Sequence, residues 1–386
     1  LGRPATVMTS DSLGKTVYLA TTGFSQDIDA LNENHFIEDQ ILGIDTTNLT
    51  VMHHLKLPVA SRDKLKAALH EPAIYAGSPL GIAVYDKRVL ITLPGTNEVW
   101  SLSDSLGPPF KRLAFDQDHL RQPVGVTWLG SSTWAITSPS EGTIEIHYPG
   151  GPTRVALTKP TASLLDIQIK QRLGEQVFYE STRSGRSCQS CHLHGDSDYS
   201  THNIGDVKIL PSTLSILGLA GTSPYLRQGS YKQIHHLMDL LNYTFGGFDI
   251  EDPQRGEHLE AFVESRPLPI NPNHLGALSA HHQNQIQDGY KVFLKAQCNL
   301  CHPPPAFTHL GKLPVTSLFP EFSNPTYFMD TPSLLGIWRS APYLYDGRSA
   351  DLKSLLTKHN GANRHGDTQS LTDSEIDTLA YFLETL

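Results

Sequence analysis

Cysteine is scarce in this chain. Only four cysteines occur among 386 residues, and all of them fall within two pentapeptides, at residues 188–192 and 298–302. Because every thiol belongs to one of these pentapeptides, the lack of other cysteines gives no information about disulfides or the cellular compartment. The chain is long enough for two or three domains with hydrophobic cores of their own.

Long hydrophobic runs are missing as well. A membrane-spanning helix needs roughly 18 or more apolar residues in a row, and the best candidate, residues 204–226, is interrupted by Asp206, Lys208, Pro211 and Pro224. The sequence therefore predicts no membrane span. The chain begins at Leu1 without a methionine or a charged and then apolar leader, so we expect that a signal peptide has been removed or that the start is truncated.

Positive charge is in the minority. The 30 lysines and arginines are outnumbered by 39 aspartates and glutamates, which gives a formal net charge of -9. Nucleic-acid binding needs a concentrated basic surface that neutralises phosphates, and the sequence shows no basic cluster of that kind. We therefore expect no nucleic-acid partner, and the negative balance favours a partner protein with a basic docking surface.

The two pentapeptides share the pattern Cys-x-x-Cys-His, which is the attachment pattern of c-type haem. Two thiols about one helical turn apart can add to the two vinyl groups of one haem, and the adjacent histidine then lies under the iron as its proximal ligand. The sequence therefore predicts two covalently bound haems c, with their iron, held by Cys188, Cys191 and His192 and by Cys298, Cys301 and His302.

Two other sites could use paired cysteines. Four thiols in two pairs could hold one structural zinc ion, but such a site does not require a histidine after each pair. A thioredoxin-like dithiol would need a strand and helix context that is not found around either motif. Covalent haem attachment takes place outside the cytoplasmic membrane, so we expect a periplasmic, extracellular or cell-surface protein.

Residues 1–160 read as an all-β segment in three similar units. The step from Pro79 to Pro123 is 44 residues, which matches the roughly 40–50 residues of a four-stranded propeller blade. The first unit is about 31 residues longer, and a polar loop at 24–40 and a helix-like segment at 61–70 could supply the excess. Short β-branched and aromatic runs bounded by turn residues predict strands at 3–8, 16–20, 41–45, 50–57, 78–84, 89–93, 98–102, 111–114, 122–128, 133–137, 143–146 and 153–157.

These units resemble the repeat of YVTN-type β-propellers. Three blades cannot close a ring, because propellers use 4 to 8 blades. The pattern of three blades leaves three arrangements open: further blades outside this sequence, a second chain that completes the propeller, or an open stack of sheets. A generic β-sandwich is the alternative.

Residues 161–386 contain an internal repeat of helices and loops. Three pairs of segments carry it: 174–178 with 289–293, 213–226 with 331–344, and 259–265 with 379–385, at offsets of 115 to 120 residues. The predicted fold is therefore multidomain: β-propeller-like blades over residues 1–160, then two mainly α cytochrome c domains at 161–270 and 271–386. A proline-rich hinge at 266–272 joins the two haem domains.

The C-terminal two-thirds resembles the bacterial di-haem cytochrome c peroxidase and MauG superfamily. The matching features are the two motifs about 110 residues apart, the Thr-Pro-Ser-Leu-Leu-Gly segment at 331–336, the turn at 341–347 and the terminal helix. The resemblance implies one haem that meets peroxide, a second that relays electrons, and a calcium ion between the haem domains. It also implies a redox partner, such as a small cytochrome c or copper protein, or a protein substrate.

The sixth ligand of each iron determines which role that haem can take. In the family the second haem takes its distal ligand fourteen residues beyond the aromatic or histidine position of the turn, and counting from Tyr345 gives His359. A haem bound by His302 and His359 would have a lower potential than one bound by histidine and methionine. His365, six residues further on, is the local competitor.

The first haem has a less defined distal side. The position equivalent to His359 is Leu241, which cannot bind iron, and His202 is the candidate because it precedes Pro211 as a distal histidine precedes a proline in the peroxidases. Weaker candidates are His194, His235, His236 and Met238. If none of them binds, the iron is five-coordinate and open to peroxide.

Three departures from the family bear on activity. Arg227 stands where the family has a tryptophan between its haems, and Tyr345 replaces a histidine. At the spacing of the glutamate that moves protons during O–O cleavage, this chain has Gly247, with Asp249 and Glu251 only nearby. The catalytic residues are therefore not assigned. Two hypotheses follow: a peroxidase-like oxidoreductase, or an electron-transfer subunit with both irons six-coordinate and the β segment as a docking module.

Overall fold

The computed structural model describes residues 5–24, 37–57, 79–106, 111–113, 122–139, 141–156, 166–182, 186–202, 211–248, 252–274, 279–319 and 327–386. The chain divides into two compact units, residues 1–194 with 237–262 and residues 195–236 with 263–386. This division splits residues 161–270 between the units, and the predicted borders near 160 and 270 stay a prediction. The helix-like segment at 61–70 and most of the polar loop at 24–40 lie outside the described residues.

The described residues of the N-terminal segment form β-strands and turns, as predicted. Their twelve strands make up three four-stranded antiparallel sheets, and in each sheet the strands follow one another in chain order. The strands are β1 (Ala5–Ser10), β2 (Thr16–Phe24), β3 (Ile37–Asp45), β4 (Val51–Lys56), β5 (Gly81–Tyr85), β6 (Arg88–Leu93), β7 (Glu98–Ser103), β8 (Lys111–Leu113), β9 (Gly125–Trp128), β10 (Trp134–Ser138), β11 (Thr143–Tyr148) and β12 (Gly151–Ala156). Each predicted strand coincides with one of these strands to within a few residues at its ends.

The first strands of the three sheets are neighbours, since β1 packs on β5 and β5 packs on β9. Thr92 Oγ1 donates a hydrogen bond of 2.7 Å to the Val124 carbonyl oxygen, and Thr6 Oγ1 donates one of 2.8 Å to the Pro79 carbonyl oxygen. Gly81 permits the approach of β5 to β9, because a Cβ atom there would overlap the Val124 carbonyl. The sheets are therefore tied side by side, and within the described residues they do not close into a propeller ring.

The middle sheet supplies the core on both of its faces. In β6, Leu90, Ile91 and Leu93 are almost completely buried. Leu90 packs with Ile136 of the third sheet, whereas Ile91 packs with Ile41 of the first sheet. Successive side chains of a strand point to opposite faces, so the apolar run of β6 serves two separate cores.

The rest of the described chain is mainly helical. The helices are α1 (Asp166–Tyr179), α2 (Leu237–Phe245), α3 (Arg255–Glu264), α4 (Ala280–Lys295), α5 (Val315–Leu318), α6 (Leu352–Leu356) and α7 (Asp373–Glu384), with two short paired strands β13 (Lys312–Pro314) and β14 (Phe328–Asp330). No described helix is long and apolar enough to cross a membrane.

Each repeat contains a close helix crossing at a glycine. In α1, a Cβ atom on Gly174 would overlap the His258 carbonyl oxygen and lie 2.7 Å from Cβ of Phe262. In α4, a Cβ atom on Gly289 would overlap Cβ of Phe382 and lie 2.8 Å from the Thr378 carbonyl oxygen. The two segments that the sequence repeat pairs therefore build the same crossing, which brings each Cys-x-x-Cys-His motif to the end of a packed helix pair.

The turns after the two motifs are also alike. Tyr225 pairs with Tyr231, and Tyr343 pairs with Ser349 at the equivalent place. The predicted hinge lies within the unit formed by residues 195–236 and 263–386, where Leu268 contacts both Gly218 and Gly336, again equivalent positions of the repeats. The hinge is thus a packed segment at this point.

Candidate functional site

The two Cys-x-x-Cys-His motifs adopt the same local structure. Each begins with a single 3-10 turn, Cys188–Ser190 in the first and Cys298–Leu300 in the second. In both, the carbonyl oxygen of the first cysteine accepts hydrogen bonds of 3.3 Å from the amide of the second cysteine and 2.9 Å from the amide of the histidine. Two thiols and an imidazole therefore emerge from one tight turn at each site.

Different residues start the two turns. In the first motif, Ser187 and Ser190 form a capping box, in which the Ser187 amide donates to Ser190 Oγ at 3.0 Å. In the second, Gln297 takes the left-handed conformation with φ of 60° directly after α4. The common turn is therefore a property of the pentapeptide itself, since the residues before it differ.

All four cysteines are free thiols. Burial raises the pKa of Cys188 to about 12 and that of Cys298 to about 11. Within the described residues, no three histidine, cysteine, aspartate or glutamate side chains are grouped to hold a metal ion. The arrangement is two separate pairs of thiols, each pair on one tight turn.

His302 is fixed in orientation by the loop that follows it. Its ring Nδ1 donates to the Phe307 carbonyl oxygen at 3.0 Å. Ser333 Oγ and Thr308 Oγ1 tie this loop to the Thr-Pro-Ser segment through the carbonyls of Ala306 and Thr331. Burial lowers the pKa of His302 to about 4, so the ring is neutral at physiological pH. With Nδ1 engaged, Nε2 is the nitrogen that can bind iron.

Two histidines lie near the second motif, in the chain between α6 and α7. His359 and His365 both line one cavity. The ring centroid of His365 lies 6.4 Å from that of His302, with 44° between the ring planes. His359 makes no ring contact of this kind with His302 in the described structure. The structure thus places the ring of His365 beside that of His302, and iron ligation by His359 stays a prediction.

The cavity wall has the chemistry that a haem requires. A haem is a flat apolar macrocycle that carries two carboxylates, and the wall combines apolar side chains with two guanidinium groups and two imidazoles. The lining residues are Leu318, Phe319, Leu344, Arg348, His359, Asn360, Ala362, Arg364 and His365. These side chains fit the group that the motif predicts.

His202, the predicted distal ligand of the first haem, forms a buried pair with Asp198. Its Nε2 lies 2.5 Å from Asp198 Oδ2, and both side chains are only 4% exposed. Burial alone would raise the pKa of Asp198, but the hydrogen bond and charge of His202 outweigh it and hold that pKa below its usual value. Iron binding by His202 would therefore go through Nδ1. His202 and His192 belong to different units, and this ligation stays a prediction.

Arg227, which replaces the family's tryptophan, is held by the chain beside it. Its Nε donates to the Ser212 carbonyl oxygen at 2.7 Å, and its Nη2 donates to Ser212 Oγ. The guanidinium carbon lies 5.7 Å from the ring centroid of Tyr345, and burial lowers the pKa of Arg227 to about 10. Arg227 and Tyr345, two of the three positions at which the sequence differs from the family that it resembles, are thus in contact with each other.

Sequence reasoning missed three polar residues of these surroundings. Asp198 could have been found as the partner of His202 from its spacing of four residues, whereas Asn360 and Asp330 gave no local signal. Asn360 holds the chain around His365 through hydrogen bonds to the amide and the carbonyl of that residue. Asp330 lies at the end of β14, where its amide donates to the Arg227 carbonyl oxygen at 2.9 Å.

Asp330 predicts a pH effect on stability. Burial raises the pKa of its carboxyl group to about 7, against the opposing effects of the Thr331 amide and the Lys312 charge. The unfolded chain releases this proton near pH 4, so between pH 4 and 7 the folded state binds more protons and stability falls as pH rises. We expect Asp330→Asn to lose less stability than the wild type between pH 5 and pH 8.

Urea unfolding at the two pH values checks this effect. Asp288→Asn, at a carboxylate on the exposed surface of α4, is the control and is expected to follow the wild type. Equal losses of stability in the wild type and in Asp330→Asn would rule out ionisation of Asp330 as the source.

Comparison with known proteins gives structural likenesses at low sequence identity. No family model matches the chain, and no curated protein matches it. A hydrazine synthase from Kuenenia stuttgartiensis is similar over 61% of this chain and 100% of its own, with a TM-score of 0.46 and 20% identity. A MauG-like protein associated with microbial copper homeostasis is similar over 59% and 91%, with a TM-score of 0.42 and 21% identity. A diheme peroxidase variant from Burkholderia thailandensis E264 is similar over 60% and 89%, with a TM-score of 0.38 and 16% identity.

Proposed function

We propose that this chain is a di-haem c-type cytochrome with an oxidoreductase function of the cytochrome c peroxidase and MauG type. The observation that carries the proposal is the identical turn at Cys188–Ser190 and Cys298–Leu300, with two thiols and a histidine leaving it in the same order. At the second site, the hydrogen bond from His302 Nδ1 to Phe307 orients Nε2 for iron. A bound haem supplies a reversible one-electron couple at each site.

The residues of each motif have separate roles in holding a haem. Cys188, Cys191, Cys298 and Cys301 anchor the groups, and His192 and His302 supply the proximal nitrogens. At the second site, the cavity wall carries two guanidinium groups that can donate hydrogen bonds to carboxylates of a haem, those of Arg364 and of Arg348, which is also paired with Asp346. We assign electron relay to the second site and reaction with peroxide or another oxidant to the first.

A difference between the repeats supports this division. In the second repeat, His359 and His365 lie on the chain between α6 and α7. At the offset of 118 residues, the matching positions of the first repeat are Leu241 for His359 and Gly247 for His365. Neither residue has a side chain that can bind iron, so these two positions supply no sixth ligand to the first haem.

A second candidate function is electron transfer without peroxide chemistry. It is favoured by Gly247, which occupies the spacing of the family's proton-carrying glutamate and has a left-handed φ of 71°. A glycine cannot move the proton that O–O cleavage requires. In this case both irons would be six-coordinate, and the β segment would serve as a docking module.

The proposal includes a location and partners. We place the protein in the periplasm or at the cell surface, where covalent haem attachment is completed. Its redox partner would be a small cytochrome c or copper protein, or a protein substrate, and a second chain could complete the propeller. A calcium ion between the haem domains completes the proposed cofactor set.

Haem content and reaction with peroxide test the proposal. The chain would be produced in a periplasm that attaches haem c, and the haem-to-protein ratio would be measured after denaturation. Two covalent haems per chain are expected, and none would overturn the proposal. Stopped-flow spectra after addition of hydrogen peroxide then separate the candidates: a saturable change in the first haem, with turnover of a reduced electron donor, supports the enzyme, whereas unchanged spectra favour the carrier.

A further inference from the structure

The distance between His302 and His365 matches a shared metal ion. A metal ion binds an imidazole nitrogen at about 2 Å, and that nitrogen lies about 1 Å from its ring centre, so two rings on opposite sides of one ion have centroids about 6 Å apart. The observed separation of the two ring centroids is 6.4 Å. The planes are inclined at 44°, and rings bound on opposite sides of an ion are free to rotate about the common axis.

The chain around His365 is held by a side chain built into the loop. Oδ1 of Asn360 accepts the His365 amide at 2.8 Å, and its Nδ2 donates to the carbonyl oxygens of His365 and Gly366 and to Oγ1 of Thr368, at 2.8 to 3.1 Å. Asn360 is 3% exposed. A buried asparagine with all of its hydrogen-bonding groups engaged fixes the backbone on both sides of His365.

The loop that carries His365 also contacts the second motif and the residues just before it. The Asp367 amide donates to the Ala296 carbonyl oxygen at 2.9 Å. Gly366 has a φ of 75°, and a Cβ atom there would lie 3.0 Å from that carbonyl oxygen and 3.5 Å from Sγ of Cys298. A glycine is therefore required by both backbone conformation and space, and the contact sets the position of His365 relative to Cys298.

His359 is the competing histidine of the same cavity. It shares the cavity wall with His365, but within the described residues the ring contact with His302 is made by His365.

We infer that His365, and not His359, is the sixth ligand of the iron held by Cys298, Cys301 and His302. The inference rests on the proposed function, because it requires a haem at the second motif. It makes the second site six-coordinate with two histidines. Asn360 is then a positioning residue for this ligand.

Spectroscopy of histidine variants tests the inference. The full chain with its haems would be prepared as His365→Gly and as His359→Gly, a matched change at the competing histidine of the same cavity. In His365→Gly, ferric EPR is expected to show one additional equivalent of high-spin iron per chain, and added imidazole is expected to restore the low-spin signal. The spectrum of His359→Gly is expected to equal that of the wild type.

His365→Met is a second variant, which tests the ligand without the added backbone flexibility of a glycine at position 365. In His365→Met, the sixth ligand is replaced by a thioether, so the reduction potential of one haem is expected to rise while the other stays constant. Unchanged spin state and potential in both His365 variants, or loss of the low-spin signal in His359→Gly instead, would overturn the inference. Haem content separates this result from failure of the proposed function, because the latter requires that the wild-type chain carry no covalent haem.

Discussion

Replacing Cys298 and Cys301 together by alanine is expected to reduce the covalently bound haem from two per chain to one. The two thiols leave the same turn, and neither of them has a disulfide partner. Without them His302 alone would have to retain the group, and a single noncovalent ligand does not survive denaturation. Measurement of haem after denaturing electrophoresis checks the loss.

The matched variant is Cys188→Ala with Cys191→Ala, which is expected to lose the other haem. Their spectra should differ, because removal of the second site also removes the low-spin signal that we assign to His302 and His365. The signal from the first site should persist in the Cys298 and Cys301 variant. Retention of two covalent haems in either double variant would contradict the assignment of that motif.

Replacing Gly289 by valine is expected to destabilise the helical unit in which α4 packs on α7 by about 2 kcal/mol or more, the cost of overfilling a packed contact. A Cβ atom at this position would overlap Cβ of Phe382 and lie 2.8 Å from the Thr378 carbonyl oxygen. Main-chain atoms of α7 cannot move aside without shifting the helix. The gain in helix propensity over glycine is only a few tenths of a kcal/mol for valine, so the clash dominates.

Urea unfolding followed by circular dichroism measures this effect on the haem-loaded protein. Gln287→Val is the control, because Gln287 is on the exposed surface of the same helix and receives the same β-branched side chain. It is expected to unfold within about 0.5 kcal/mol of the wild type. Equal unfolding of the two variants would show that α4 and α7 separate easily at Gly289.

Gly289 also illustrates what the sequence can predict about packing. The repeat of Gly-x-x-Val-Phe before each motif identified a shared element, and the helices were predictable from apolar periodicity, as for Ile376, Leu379, Phe382 and Leu383 in α7. The twelve strands were predictable for the same reason, since alternation and turn residues are local signals. The apolar periodicity of an element does not indicate which other helix or sheet it packs against. The helix crossings at Gly174 and Gly289 and the two cores that β6 joins are therefore seen only in the structure.

The candidate distal ligands of the second haem could not be distinguished from the sequence. His359 and His365 are six residues apart in a segment with little regular structure, where no periodicity indicates the direction of a side chain. The choice between them depends on Asn360, which fixes the backbone, and on Gly366, which seats it against Ala296 and Cys298. Likewise, the pairing of His202 with Asp198 assigns Nε2 to a carboxylate, a contact that the spacing to Pro211 did not indicate.

From the sequence alone, haem attachment could be predicted, because two thiols and a histidine within five residues need only one turn to act together. The sequence also indicated the β-rich and helical segments, whose signals are local. Only the folded structure shows which imidazole lies beside His302, how the sheets share a core and that Arg227 lies against Tyr345. These features join residues far apart in the chain or in irregular loops, and their geometry is set by packing and hydrogen bonds that no local pattern encodes.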